Sequence, residues 1–158
     1  MKIKVITVGK LKEKYWKEAS KEYQKRLNAY CQLTIFECKE EKAPENLTDH
    51  EIDGILEKEG QGILKHIKDT DQVVALAIEG QEIDSIKLSK KLAQWEMQGS
   101  DLCFIIGGSL GLSREVLQRS QWKWSFSPLT FPHQMMRVMV LEQIYRAYRI
   151  KQGHPYHK

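Results

Sequence analysis

Apolar positions along this chain change their period several times, and each change marks an element. Ile3 to Val8 is rich in β-branched residues and stops at Gly9, which reads as a buried strand. From Glu13 to Tyr30 the side chains Tyr15, Ala19, Tyr23, Leu27 and Tyr30 recur at three- and four-residue steps, the period of an amphipathic helix. Leu33 to Cys38 is a second strand, and the polar stretch Lys39 to Leu47, with Pro44 and Asn46, is a loop. Thr48 followed by Glu51 has the form of a capping box and predicts a helix start. Ile52, Ile55, Leu56, Ile63, Leu64 and Ile67 give that helix its apolar face, weakened by Gly60 and Gly62.

Gln72 to Ile78 is apolar on both faces, as a central parallel strand should be, and ends at Glu79-Gly80. Ser85 to Gln98 returns to the helical period, with Leu88, Leu92 and Trp95 on one side and Gly99 to stop it. Leu102 to Ile106 is a fourth strand, Ser113 can cap a short helix to Arg119, and Trp122 to Phe126 is a fifth strand, broken at Pro128. In the last helix, Gln134 to Ile150, the residues Met135, Val138, Met139, Leu141, Ile144, Tyr145 and Tyr148 occupy most of the circumference, too much for one buried face. Gly153 ends it, and His154 to Lys158 form a tail with too little apolar surface to dock strongly on its own.

Strands alternating with helices predict an α/β fold over the whole of 1–158, with a mostly parallel sheet covered on both faces. In such sheets ligands sit beyond the carboxyl ends of the strands. Leu76 to Gly80, Gly107 to Gly111 and Phe126 to Phe131 are all strand exits, so they can converge on one pocket. Gly107, Gly108 and Gly111 follow the fourth strand directly, which either frees the backbone there and leaves room for a ligand against the main chain or merely makes a tight strand-to-helix turn.

Composition adds little to this and charge adds more. Hydrophobic residues make up 41% and charged residues 29%, an ordinary globular balance. No apolar run approaches the ~20 residues of a membrane span. Three cysteines without a C-x-x-C pair suit a reduced, cytoplasmic protein. The formal net charge is +4, but from Leu102 onward eight Lys or Arg face two acids, Glu115 and Glu142. A polyanion near the glycine turn would explain that surplus. A solvated helix face carrying Arg137, Arg146, Arg149 and Lys151 would explain it too.

Three chemistries compete for these residues. Gly107 to Gly111 matches G-x-S-x-G, the nucleophile elbow of serine hydrolases, with Ser109 as nucleophile. It would need Glu115 or Glu142 as the acid and His154 or His157 as the base. The stretch is not G-x-G-x-x-G, which argues against a dinucleotide site. His50, His66, His133, His154 and His157 show no metal-ligand spacing. His133 follows Pro132 and reads as a helix-start residue or a pocket wall, with the first favoured, and Met135, Met136 and Met139 read as core or dimer packing.

Several motifs taken together resemble one family. They are Gly107-Gly108-x-x-Gly111-Leu112, then Ser125-Phe126-Ser127-x-x-Thr130-Phe131-Pro132-His133, then Arg137, Glu142-Gln143-x-Tyr145-Arg146-Ala147, and the ending His154-Pro155-Tyr156-His157. With the start Lys2-Ile3-x-Val5-x-x-Val8-Gly9-Lys10 and the segment Tyr15 to Leu27, they look like the small SPOUT-class ribosomal RNA methyltransferases, over the whole chain. The resemblance implies N3-methylation of a pseudouridine in large-subunit ribosomal RNA, a C-terminal trefoil knot and a homodimer packed through it. It also implies S-adenosylmethionine held by Leu76, Gly107, Phe126, Ser127, Pro128, Leu129, Thr130 and Phe131. His157 or Tyr156 is then the candidate to take the imide proton or to anchor the base. A serine hydrolase and a non-catalytic RNA-binding module stand as the alternatives.

Overall fold

Five parallel strands make one sheet in the computed structural model, which describes residues 1–158. In chain order the elements are β1 (Lys2–Val8), α1 (Lys14–Leu27), β2 (Gln32–Cys38), α2 (Asp49–Leu64) and β3 (Gln72–Gln81). They continue with α3 (Ser85–Gln98), β4 (Leu102–Ile106), α4 (Arg114–Arg119), β5 (Trp122–Trp124) and α5 (His133–Lys151). The strand order is β2-β1-β4-β3-β5, so β4 is central and all five of its residues are buried.

Alternation along the strands sorts the core into two layers, as the pleat requires. Ile3, Val5, Leu102, Phe104 and Ile106 point into the larger layer under α1, α3 and α5. Ile6, Val8, Cys103 and Ile105 point to the smaller one, under α2 and α4. The expected cover on both faces is therefore present. No helix is long and apolar enough to cross a membrane.

Local chemistry sets the boundaries. The Thr48 hydroxyl accepts from the Glu51 amide at 3.2 Å while the Glu51 carboxylate accepts from the Thr48 amide at 3.3 Å, so the capping box is closed. The Ser113 hydroxyl caps α4 through the Val116 amide at 3.2 Å. Gly99 ends α3 at φ +72°, the left-handed cap expected of glycine. A cap that the pattern did not disclose is Asp84, which accepts from the Lys87 amide at 2.7 Å.

Several expectations are corrected. Tyr15 does not join the apolar face of α1 but is 61% exposed, and the residues buried on that helix are Ser20 and Leu27. Tyr30 lies beyond the helix and stacks on Tyr148 at 5.3 Å. β3 does not stop at Ile78 but runs on to Gln81 after a register shift, and Gln81 then pairs with Trp124. Gly80 permits this, because a Cβ there would lie 2.7 Å from the Lys123 carbonyl. β5 is shorter than predicted because the chain turns at Ser125, whose hydroxyl donates to the Ser127 carbonyl at 3.2 Å.

The basic helix α5 is also not a solvated face. Arg137 is 4% exposed and ties three parts of the chain together. It donates to Glu37 Oε2 at 2.6 Å, to Thr7 Oγ1 at 2.8 Å and to the Gly9 carbonyl at 3.0 Å. Arg146 pairs with Glu142, Arg149 donates to the Tyr30 hydroxyl and Lys151 pairs with Glu96. With Arg119, which donates to the Lys68 carbonyl at 2.7 Å, five of the eight cations of the C-terminal third are engaged within the chain.

Candidate functional site

The carboxyl ends of β3, β4 and β5 open into one cavity of about 450 Å³. Its walls come from Leu76 to Glu79, Ile106 to Leu112, Trp124 to Ser127 and Leu129 to Phe131, with Leu117, His133 and Met136 closing it. The three strand exits singled out in the sequence do meet. Of the eight residues expected around a cofactor, Leu76, Gly107, Phe126, Ser127, Leu129, Thr130 and Phe131 line this cavity, and Pro128 does not. Pro128 sits exposed at the crest of the turn, where the Ser127 hydroxyl accepts from the Leu129 amide at 3.0 Å. That bond folds the loop back so that residues on either side of Pro128 face inward.

The glycines serve the tight turn itself. Among Gly107, Gly108 and Gly111, Gly111 alone takes a positive φ, +89°. Gly107 must be glycine because the turn closes on itself: a Cβ would sit 2.5 Å from the Gly111 carbonyl oxygen. The Gly111 amide donates to the Gly108 carbonyl at 3.2 Å and completes that closure. A Cβ on Gly108 would point away from the cavity, 3.2 Å from Val8 and 3.7 Å from carboxylate oxygens of Glu40 and Glu59. Glu59 is 5% exposed and accepts from the Glu41 amide at 3.0 Å. Burial pushes its carboxyl above the ordinary range; the Glu41 amide opposes this, and the Glu40 and Glu41 charges add to it.

The tail is docked, contrary to the expectation from its composition. Tyr156 packs edge-on against Tyr145 at 5.0 Å, and the Arg146 guanidinium lies 4.6 Å over its ring. Arg146 donates to Glu142 Oε1 at 2.7 Å and also to Nδ1 of His157 at 3.2 Å. A guanidinium cannot accept, so Nδ1 is the acceptor and the neutral ring carries its proton on Nε2. Desolvation and the Glu142 charge raise the Tyr156 phenol above its ordinary pKa. Neither Tyr156 nor His157 reaches the first cavity. His157 lines a second one of about 520 Å³, bounded also by Ile83, Ser85, Met139, Glu142 and Gln143. The two cavities share Trp124 and Phe126 as a common wall.

The hydrolase constellation does not assemble. Ser109 lines the first cavity, but the proposed acids face elsewhere: Glu115 accepts from Gln61 at 3.1 Å and Glu142 from Arg146. His154 contacts Gln152 and His157 contacts Arg146, so no histidine holds the Ser109 hydroxyl. His133, left open between a helix-start residue and a pocket wall, is a cavity wall, and so is Met136, which pattern reading missed. Their signal was position, since Pro132 follows a strand exit and turns the first helical residues back over it.

A family model described as Predicted SPOUT methyltransferase matches residues 1–157. The chain is 55% identical over 159 residues to the ribosomal RNA large subunit methyltransferase H of Clostridioides difficile (strain 630), with 100% of each chain covered. Among solved structures, it shares its fold with Lpg2936 of Legionella pneumophila, solved in complex with the bound cofactor SAM. That likeness has a TM-score of 0.51 at 12% identity and covers 94% of this chain and 66% of the other.

Proposed function

The chain belongs to the SPOUT methyltransferase family, and from that premise we propose that it transfers a methyl group from S-adenosylmethionine to N3 of a pseudouridine in large-subunit ribosomal RNA. The observation that carries this reading is the 55% identity to ribosomal RNA large subunit methyltransferase H with both chains wholly covered.

The first cavity suits the cofactor in size and chemistry. At about 450 Å³ it falls within the ~300–1,000 Å³ of small-molecule sites. Leu76, Leu129 and Phe131 offer apolar cover for an adenine ring, while the backbone around Gly107 and from Phe126 to Thr130 offers polar groups for its edge. When bound, S-adenosylmethionine supplies an electrophilic methyl on a sulfonium. The chain's own part is to hold the target nitrogen in line with that methyl and to keep water away, which is where much of the acceleration of such a step originates.

The imide proton must also leave. Tyr156 holds its own proton more firmly than a free phenol, and the basic lone pair of His157 is taken by Arg146. Both facts favour these residues as anchors of an unstacked base over the role of proton acceptor. The proposal further includes a cytoplasmic location, a trefoil knot in the C-terminal half and a homodimer. The half-buried Met135, Val138 and Met139 on α5 are the natural dimer contact.

The test is transfer of tritiated methyl from S-adenosylmethionine to ribosomal subunits, free ribosomal RNA and whole ribosomes, with the modified nucleoside identified by mass spectrometry. Label in N3-methylpseudouridine is expected; label in another nucleoside, or in none, refutes the proposal.

A further inference from the structure

Most of the cations that remain free to meet a phosphate backbone are not where the charge count put them. Of the C-terminal arginines, Arg119, Arg137, Arg146 and Arg149 are engaged within the chain, which leaves Arg114, Lys123 and Lys158 exposed there. The segment Lys10 to Arg26 carries seven Lys or Arg against three acids, a surplus of four equal to the +4 of the whole chain. The remaining residues, with 18 of each sign, are neutral.

Six of those cations are exposed lysines: Lys10, Lys12, Lys14, Lys17, Lys21 and Lys25. Lys14, Lys17, Lys21 and Lys25 follow one another on α1 at steps of three and four, so they form a stripe on one helix face. The stripe is nearly unpartnered. Its only ion pair joins Lys14 to Glu18 at 3.8 Å with side chains 88% and 65% exposed, a contact that water screens almost completely.

Placement matters as much as charge. β1 is parallel to its neighbours, so the segment after Gly9 emerges at the same sheet edge as the cavity. The Lys12 amide donates to Gln134 Oε1 at 2.8 Å, and Gln134 follows His133, a wall of the cavity. Lys10, Lys12 and Lys14 therefore stand at the cavity end, and α1 carries the stripe away from it. Beside them Tyr15, 61% exposed, offers a ring face to an unstacked base.

From this we infer that the Gly9–Glu13 loop and the lysine stripe of α1 form the phosphate-binding surface that guides ribosomal RNA to the cavity. The inference rests on the ribosomal RNA reading above.

The test compares wild type with Lys14→Gln/Lys17→Gln/Lys21→Gln, and with a control of equal charge loss on the opposite side, Lys58→Gln/Lys65→Gln/Lys68→Gln. KM for ribosomal particles is measured from 50 to 200 mM salt, and S-adenosylmethionine affinity by calorimetry. Removing three phosphate contacts should flatten the salt dependence, so that KM rises about 20- to 40-fold less over that fourfold range. KM at the lowest salt should rise while kcat and cofactor affinity stay within about twofold. An unchanged salt slope in the α1 variant, or an equal change in the control, overturns the inference. Loss of binding with an unchanged slope would point to a ribosomal protein as the contact and overturns it as well. Wild type that methylates no ribosomal particle would instead defeat the functional reading itself.

Discussion

Replacing Arg137 by methionine tests the central brace of the fold. The substitution keeps the apolar stem and removes every donor. Three acceptors lose their partner: Glu37 Oε2, Thr7 Oγ1 and the Gly9 carbonyl. They do not suffer equally. The Glu37 side chain is 36% exposed and can turn to water, while Thr7 is 2% exposed and Gly9 is buried. A buried acceptor left unpaired costs about 1–3 kcal/mol. Two of them, less the relief of no longer burying a guanidinium, give a net loss of about 2–4 kcal/mol. For a chain of this size that lowers Tm by about 5–15 °C. Glu37→Ala acts by another route, leaving a buried cation without its counter-charge, and should cost about 1–3 kcal/mol. In the Arg137→Met background the same Glu37→Ala change should cost almost nothing, because the cation it served is gone. Urea unfolding at one fixed protein concentration measures all four corners of this cycle. If the two losses simply add, the buried pair is not a coupled unit and the reasoning fails.

Other perturbations probe the site and the edges of the fold. Gly107→Ala forces a methyl against the Gly111 carbonyl, so S-adenosylmethionine affinity should fall at least ~10-fold by calorimetry with far-ultraviolet dichroism unchanged; wild-type affinity would separate this turn from the cofactor. Deleting Tyr156 to Lys158 should reduce methyl transfer ~100-fold, the cost of a target base held about an ångström out of place, while cofactor affinity is retained, and an undiminished rate would remove the tail from the site. Burial pushes the Cys103 thiol from its ordinary 9.0 up to about 12, with Asp71 adding to the shift. The folded chain then holds this proton more tightly than the unfolded one, so its contribution is fully present below pH 9 and is lost as pH rises from there towards 12. The slope is about 1.4 kcal/mol per pH unit. Cys103→Ala should therefore show a shallower loss of urea midpoint between pH 9 and 10.5 than wild type, and equal slopes would contradict it. Thr48→Ala opens the capping box and should cost about 1 kcal/mol in the same assay.

Where a local signal was strong, the sequence disclosed the structure. The capping box at Thr48, the Gly99 stop and the fully apolar Leu102 to Ile106 each depend on neighbours in the chain, and each lies where it was expected. Long-range pairing was illegible. Nothing near Arg137 reveals that its partners lie some 100 to 130 positions away on β1 and β2, so a buried brace looked like a solvated cation. The extension of β3 to Gln81 depends on Lys123 and Trp124 coming close to Gly80, again across the fold. The site follows the same division. Its three strand exits could be named because a parallel sheet sends them all to one edge, and Ser109 then fitted a hydrolase pattern as well as a turn. Only side-chain placement showed that Glu115, Glu142, His154 and His157 attend to other partners.

The strand order has a consequence for how the protein is made. β1 lies between β2 and β4, and Ile3 pairs with Leu102, 99 residues later. At the usual ~5–20 residues per second of synthesis, the first strand waits about 5–20 s for its inner neighbour to exist. The Arg137 brace comes later still. Until then Ile3, Val5, Ile6 and Val8, all buried in the finished molecule, have only the edge strand β2 beside them. Non-local pairing of this kind folds slowly and leaves sticky strand edges open in the meantime. Recombinant yield should accordingly respond to slower growth temperature or added chaperone more than to any surface substitution, because the hazard lies in the order of assembly.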